Sequence, residues 1–512
     1  MRRSDFLRLF AALPLVGRGR VDSLLGTGAL PDYFTDLHAH CTIKSFNADV
    51  PLSPWQRIDN VCEGKMARWA VKATKAVPRT SQAHLEGLQR GNVRLVCCAL
   101  VPLERKMLTP NFINAKKKGD ATMECLAGFD VTHDWATFMA NEVDYYQNLT
   151  ENLTYIAQYE GIQHNINGRA YSFEVARSAA HLTAILKDTS KIAMVLTVEG
   201  GHSLAHSLEL NDVSGTDAFR TTVLNNTLQL KNATLPIYSL NINHFFWNGL
   251  CGHARTLSGA QTVLMPQKEG VNLGFTALGK EVVALLLDDK KGRRILIDLK
   301  HTSLLGRKWY YNYIKKRRAV GDNIPIICSH TGISGVSWNS LQYNQRDGAK
   351  KNKQSYLNTW TINLSDEDVQ HIHDSGGLIG IMLDKYKLVG SLGVATYRKA
   401  IVGSNERRQA YVKAIWANFF AAVSAVNRRS AWDILCFGSD FDGMITPYET
   451  YAKASDTPDL ANDLLQFLQS PTDIDTLFTH KELKRLMFGL SPNEIMKKIM
   501  QTNQYECLQR SF

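Results

Sequence analysis

The sequence predicts an α/β fold, a (β/α)8 barrel of the TIM type with long inserted loops and helices and a helical C-terminal tail. Three observations support it. Eight short apolar runs of strand length are spaced along the chain. Helix-like stretches lie between most of them, giving the strand–helix alternation of a parallel sheet. Several runs end abruptly in a histidine or an acid, where such barrels carry their polar chemistry.

The first run is Tyr33-Phe34-Thr35-Asp36-Leu37-His38-Ala39-His40. The others cover 93–101, 192–198, 236–242, 295–299, 324–328, 378–383 and 434–437. Runs this apolar suit strands buried on both faces. Residues 278–287 have helical spacing ahead of the fifth strand. Ser365 is a natural N-cap for a helix opening on Asp366-Glu367-Asp368, and Gly376-Gly377 ends it before the seventh strand. An open doubly wound sheet is the main competitor, but it lacks its glycine-rich loop after the first strand.

Extra material is expected near 102–161, where 135–159 has an amphipathic helical pattern. The stretch near 335–360 is polar and reads as a surface loop or lid, and the one near 385–429 holds a helical segment over 407–423. The tail, 458–499, reads as helical, with Ser491-Pro492-Asn493-Glu494 a good helix start. No repeat or low-complexity linker divides the chain. The expected organisation is an N-terminal segment, 1–30, and one barrel with insertions over 31–512.

Composition excludes several classes. With 44% hydrophobic and 21% charged residues, the chain of 512 residues reads as an ordinary soluble globular protein. The net charge of +11 is scattered in short runs such as Lys315-Lys316-Arg317-Arg318, without the single basic face interleaved with aromatics that nucleic acid needs. No apolar stretch approaches the ~20 residues that span a bilayer. Nine cysteines without a CxxC pair favour a reducing, cytoplasmic setting over a disulfide framework. Against that, Arg2-Arg3-Ser4-Asp5-Phe6-Leu7-Arg8 and the apolar run after it resemble a twin-arginine export signal, so the compartment stays open.

The strand ends carry the candidate chemistry. His38 and His40 leave the same face of a strand, so both can reach one metal ion. Asp36 shares that face and is placed to orient a ligand. Glu199 ends the third strand beside Gly200-Gly201, where a carboxylate can bridge metals. His244 follows the fourth strand and precedes Phe245, Phe246 and Trp247, which can wall a pocket. His301 ends Ile297-Asp298-Leu299-Lys300-His301, and His330 ends the sixth strand. Asp440 closes the eighth and could hold metal and exchange protons; Asp442 shares its face or supports the loop. Taken singly, each has a plainer reading: a packed histidine, a loop acid, a satisfied polar pair. Cys41, next to His40, reads as a bystander.

In order, DLHAH, VEGGHSL, NINH, IDLKHTS, ICSHTG and FGSDFDG resemble the membrane (renal) dipeptidase family of metallopeptidases, in the amidohydrolase superfamily. The similarity spans roughly Asp36 to Gly443. It implies a hydrolase of dipeptides or related amides holding two Zn2+ per chain. By position, His38, His40 and Asp440 would hold one zinc, Glu199 would bridge, and His301 and His330 would hold the second. His244 would face the substrate and polarise the scissile carbonyl, and Asp440 would pass a proton to the leaving amine. A small peptide or amide is the implied partner; a homodimer stays open.

Two positions depart from the family pattern. Its first motif usually has an aspartate where this chain has His40. It also commonly has an arginine, gripping the substrate carboxylate, where this chain has Ile362 before Asn363-Leu364-Ser365-Asp366. Arg346, Lys350 and Lys353 are the nearby cations that could stand in. The departure keeps two alternatives in play: an amidohydrolase acting on an N-acyl amino acid or cyclic amide, and a non-catalytic barrel that binds a ligand.

Overall fold

The computed structural model describes residues 30–59, 79–108, 138–139, 144–205, 216–257, 265–341, 343 and 355–512. The N-terminal export-like stretch, Arg346, Lys350, Lys353 and the first part of the helical pattern at 135–159 lie outside the described residues. No described helix is long and apolar enough to cross a membrane.

All eight expected strands are present, with two more among the described residues. In chain order they are β1 (Phe34–Ala39), β2 (Val93–Leu100), β3 (His164–Ile166), β4 (Arg169–Val175), β5 (Lys191–Glu199), β6 (Ile237–Asn241), β7 (Leu296–Asp298), β8 (Ile327–Thr331), β9 (Leu378–Ile381) and β10 (Leu435–Phe437). Eight of them pair in parallel in the order β1-β2-β5-β6-β7-β8-β9-β10. The first and last strands then meet: His40 N donates to Phe441 O and Asp440 N to His38 O, both at 2.9 Å. An open doubly wound sheet would leave those edges apart, so the nearly closed barrel displaces that competitor.

Two differences from the sequence expectation have physical reasons. The sixth barrel strand is β8, beginning at Ile327 rather than at 324, because Pro325 has no N–H to give a ladder. The unforeseen pair β3–β4 is an antiparallel hairpin turned by Asn167 (φ 52°) and Gly168 (φ 84°). Positive φ at both central residues is the Asn-Gly hairpin turn, a signal present in the sequence but unread. Strand β4 pairs with the first half of β5, on the edge that β6 takes over further along.

Helices cover the sheet as their patterns dictate. Helix α1 (Tyr145–Tyr159) lies in the first insertion, N-capped by Asp144. On α2 (Ala277–Leu287), Leu278, Val282, Val283, Leu286 and Leu287 form the buried stripe. Helix α3 (Leu304–Ala319) follows β7, and α4 (Asp366–Ser375) carries the expected cap: Ser365 and Asp368 form a capping box, and Gly376 (φ 67°) ends it. Helix α5 (Asn405–Val426), in the third insertion, buries Trp416 and Phe420 against Trp432. The tail includes helices Pro492–Lys497 and α6 (Asn503–Ser511) joined by a π turn, the first capped by Ser491 and Glu494.

This last stretch seals the amino end of the barrel. The Gln504 side chain donates to Asp36 O of β1, and Asn503 donates to Trp432 O and Leu435 O beside β10. The carboxyl ends of the strands, opposite, carry the polar residues described next.

Candidate metal centre

Several strand ends deliver polar groups to a common point. Glu199, the last residue of β5, is 2% exposed and stands at the middle. Its two oxygens face different partners. Oε2 lies 3.1 Å from His40 Nε2 and 3.6 Å from His38 Nε2. Oε1 lies 3.1 Å from His301 Nε2 and 3.3 Å from His330 Nε2. Asp440 Oδ1 approaches His40 Nε2 at 3.5 Å, and His244 Nε2 stands 3.7 Å from Glu199 Oε2. His38, His40, Glu199, His244, His301, His330 and Asp440 are therefore gathered at one rim.

The backbone bends sharply to do this. His301 (φ 67°), Asp440 (φ 60°) and Asp442 (φ 64°) all adopt the left-handed conformation, uncommon for residues with a Cβ. Gly200 (φ 103°) follows Glu199, and a Cβ there would lie 2.4 Å from the His202 ring. Two aspartates pin the bends. Asp36 Oδ1 accepts from His38 N at 3.1 Å and from Ser439 N at 2.8 Å. Asp298 Oδ1 accepts from Lys300 N and Ser329 N, both at 3.0 Å.

Asp36 thus fixes the backbone of His38, not its ring as expected. The ring is set by Ser329, whose Oγ lies 3.1 Å from His38 Nδ1 and 2.9 Å from His330 Nδ1. His40 Nδ1 lies 3.2 Å from Ala99 O and can donate to it. Ring nitrogens held this way leave Nε2 facing inward as the ligand atom. Asp442 supports the loop: its Oδ2 accepts from Gln82 N (2.9 Å) and Ala83 N (2.8 Å), and it belongs to none of the ligand groups below. Cys41 is buried, with its thiol toward Ala39 O, and offers the centre nothing.

The donor set fits metal ions. Among the described residues, three groups bring ligand atoms within 4.8 Å of one another: His38, His40 and Glu199; Glu199, His301 and His330; His38, His330 and Asp440. His38 Nε2 is buried without a hydrogen-bond partner among the described residues. His330 Nε2 and His301 Nε2 are 3.3 Å apart, a distance at which two lone pairs need a proton or a cation between them. Burial drives His301 down to about 3 and His330 well below the usual histidine value, keeping both neutral as ligands must be. At His40 burial also opposes charge, but Asp440 and Glu199 outweigh it and push the pKa up to about 10. Metal binding there would release that proton.

Sequence reasoning missed Glu104, just past the second strand. It is 5% exposed, accepts from His244 Nδ1 at 2.7 Å and from Phe245 N at 3.1 Å. Burial raises its pKa, yet His202 and His244 bring it down to about 2. In return His244 is raised, Glu199 and Glu104 overcoming its burial. The rule that found Glu199, an acid at a strand's end, would have found Glu104. Lys300, between Leu299 and His301, is 2% exposed, and its Nζ has no hydrogen-bond partner among the described residues. Burial, helped by Lys387, lowers it to about 8. Ile362, where an arginine was expected, is buried, its carbonyl 3.5 Å from Thr331 Oγ1.

No protein-family profile and no curated protein matches the chain. Solved structures do. A metallo peptidase from Rhodobacter sphaeroides, liganded with a phosphinate mimic of the dipeptide L-Ala-D-Ala, is similar at 16% identity over 94% of this chain and 99% of that one, with a TM-score of 0.48. A metallo peptidase named dipeptidase AC gives 16%, 94%, 98% and 0.48. A probable dipeptidase from Pseudomonas aeruginosa gives 14%, 84%, 90% and 0.44. Two of these structural neighbours are described as metallo peptidases and the third as a probable dipeptidase, all at low sequence identity.

Proposed function

We propose that this barrel is a zinc-dependent hydrolase of small amides, a dipeptidase by its closest chemical reading. One observation carries the proposal: Glu199 turns one oxygen to His38 and His40 and the other to His301 and His330. That division suits a carboxylate shared by two cations, with Asp440 completing the first group. A zinc pair bound there would supply a nucleophile at neutral pH and Lewis-acid polarisation of a carbonyl.

The chain's own residues do the rest. Asp440 Oδ1, beside the His40 ring, takes up the proton of the attacking water and returns it to the leaving nitrogen. His244, whose protonated form Glu104 favours through Nδ1, offers Nε2–H to the oxygen on which charge develops. Phe245 packs against both the His244 ring (4.0 Å between centroids) and the His301 ring (5.5 Å), lowering the local dielectric and strengthening those contacts.

Bound metal measured by elemental analysis, paired with hydrolysis of unblocked dipeptides before and after chelation, tests this. Close to two zinc per chain and chelator-sensitive turnover are expected. An intact metal pair with no turnover on any amide would leave only a ligand-binding barrel. The second reading, an N-acyl amino acid or cyclic amide as substrate, draws on apolar Ile362 and would show as faster turnover of those compounds than of dipeptides.

A further inference from the structure

Ser329 is one side chain with two partners, and the partners stand on opposite sides of Glu199. Its Oγ lies 3.1 Å from His38 Nδ1 and 2.9 Å from His330 Nδ1. His38, from β1, faces Glu199 Oε2 at 3.6 Å; His330, from β8, faces Glu199 Oε1 at 3.3 Å. The two rings lie 3.8 Å apart between centroids, close enough for one oxygen to span both. All three side chains are buried, so their polar atoms depend on one another rather than on bulk water.

A proton count fixes their roles. A histidine that binds metal through Nε2 has no proton there, so the proton of the neutral ring sits on Nδ1. Both Nδ1–H groups then donate to Ser329 Oγ, which has two lone pairs for them and one proton of its own. That proton has to avoid both rings. Pointed at either Nδ1, it would drive that ring's proton to Nε2 and end its service as a ligand. Asp298 is the acceptor left for it. Its Oδ1 accepts from Ser329 N at 3.0 Å, and its carboxyl also shares a hydrogen bond with the Ser329 side chain.

We propose that Ser329 is a positioning residue common to both metal groups: its single hydroxyl, turned by Asp298, sets the ligand form of His38 on one side of Glu199 and of His330 on the other. The proposal rests on the two-cation reading above and deepens it. Ser329 is not itself a ligand, so replacing it should weaken two ions at once while every ligand stays in place. Alanine there would leave two buried N–H donors without their acceptor, and each ring would lose the bond that fixes its proton and its orientation.

The test titrates zinc into metal-free, full-length protein in competition with a chelator, for the wild type, Ser329→Ala and Ser329→Thr. The wild type is expected to bind two ions, and Ser329→Ala to bind both about 10–100-fold more weakly. The proteins saturated with zinc are then compared by proton magnetic resonance of the histidine ring N–H groups. Two Nδ1–H signals, those of His38 and His330, should shift together in Ser329→Ala and hold their places in Ser329→Thr, which keeps the hydroxyl. Weakening of one ion alone, or of neither, overturns the proposal, as does movement of a single ring signal. So does a Ser329→Thr protein that melts with the wild type yet binds zinc no better than Ser329→Ala. None of these readouts uses turnover. A protein that meets them and hydrolyses no amide sustains this proposal while defeating the hydrolase reading, whereas a wild type that binds fewer than two ions defeats the sharing proposed here.

Discussion

Glu104 and His244 meet at 2.7 Å, carboxylate to ring Nδ1, with both side chains buried and Phe245 N held by the same oxygen. The contact fixes the ring's orientation and favours its protonated form. Glu104→Gln keeps an acceptor and removes the charge. Turnover is expected to fall about 10–100-fold with metal content unchanged, as partners behind a working histidine typically behave. Steady-state kinetics and elemental analysis on the same preparations check this; loss of metal would move Glu104 into a structural role.

Glu199 is shared by both histidine pairs, so its removal should be felt by both. Glu199→Ala is expected to lose most bound zinc and all measurable turnover. Asp440→Asn should instead abolish turnover while the His301 and His330 group keeps its ion. Zinc per chain separates the two variants.

Chelation should destabilise the wild type, because an ion bound only by the folded state adds about 2.7 kcal/mol at a hundredfold excess over its Kd. The melting temperature should drop on chelation and return with zinc. In Glu199→Ala it should be insensitive to both.

Arg307 and Asp368 form a buried ion pair between α3 and α4, the guanidinium also donating to Thr302 O at 2.7 Å and Thr361 O at 2.9 Å. Tyr311 and Tyr343 donate to the same carboxylate. Arg307→Met strands that carboxylate and is expected to cost about 3–5 kcal/mol in denaturant unfolding. At Asp368 burial pushes the pKa up, but Arg307 and the hydrogen bonds outweigh it and hold the group below its ordinary value. Its contribution is complete above the unfolded value of about 3.9 and fades as pH falls through the folded one. The stability gap between wild type and Asp368→Asn should therefore narrow in acid.

Much of this architecture was readable in the chain because parallel strands buried on both faces leave uninterrupted apolar runs. Their ends could be found wherever such a run stopped in His38, Glu199, His301, His330 or Asp440. What stayed hidden depends on neighbours remote in sequence. Ser329 looks like any polar residue until β1 brings the His38 ring to it. The left-handed backbone of His301 and Asp440 follows from how Asp298 and Asp36 pull on adjacent strands, which no local propensity encodes. Glu104 was legible by the same rule as Glu199 but sat beyond Pro102 in a segment read as insertion.

The seal at the amino end of the barrel joins parts of the chain remote in sequence, for Gln504 of α6 reaches the carbonyl of Asp36 in β1 across 468 positions. A nascent chain emerging from the ribosome would hold β1 unpaired with that floor until Gln504 had been synthesised. Closure of the ring is therefore a late event, dominated by non-local contacts that are slow to form. The gathering of His38 and Asp440 at the opposite rim rests on a contact of the same non-local kind, Asp440 N donating to His38 O.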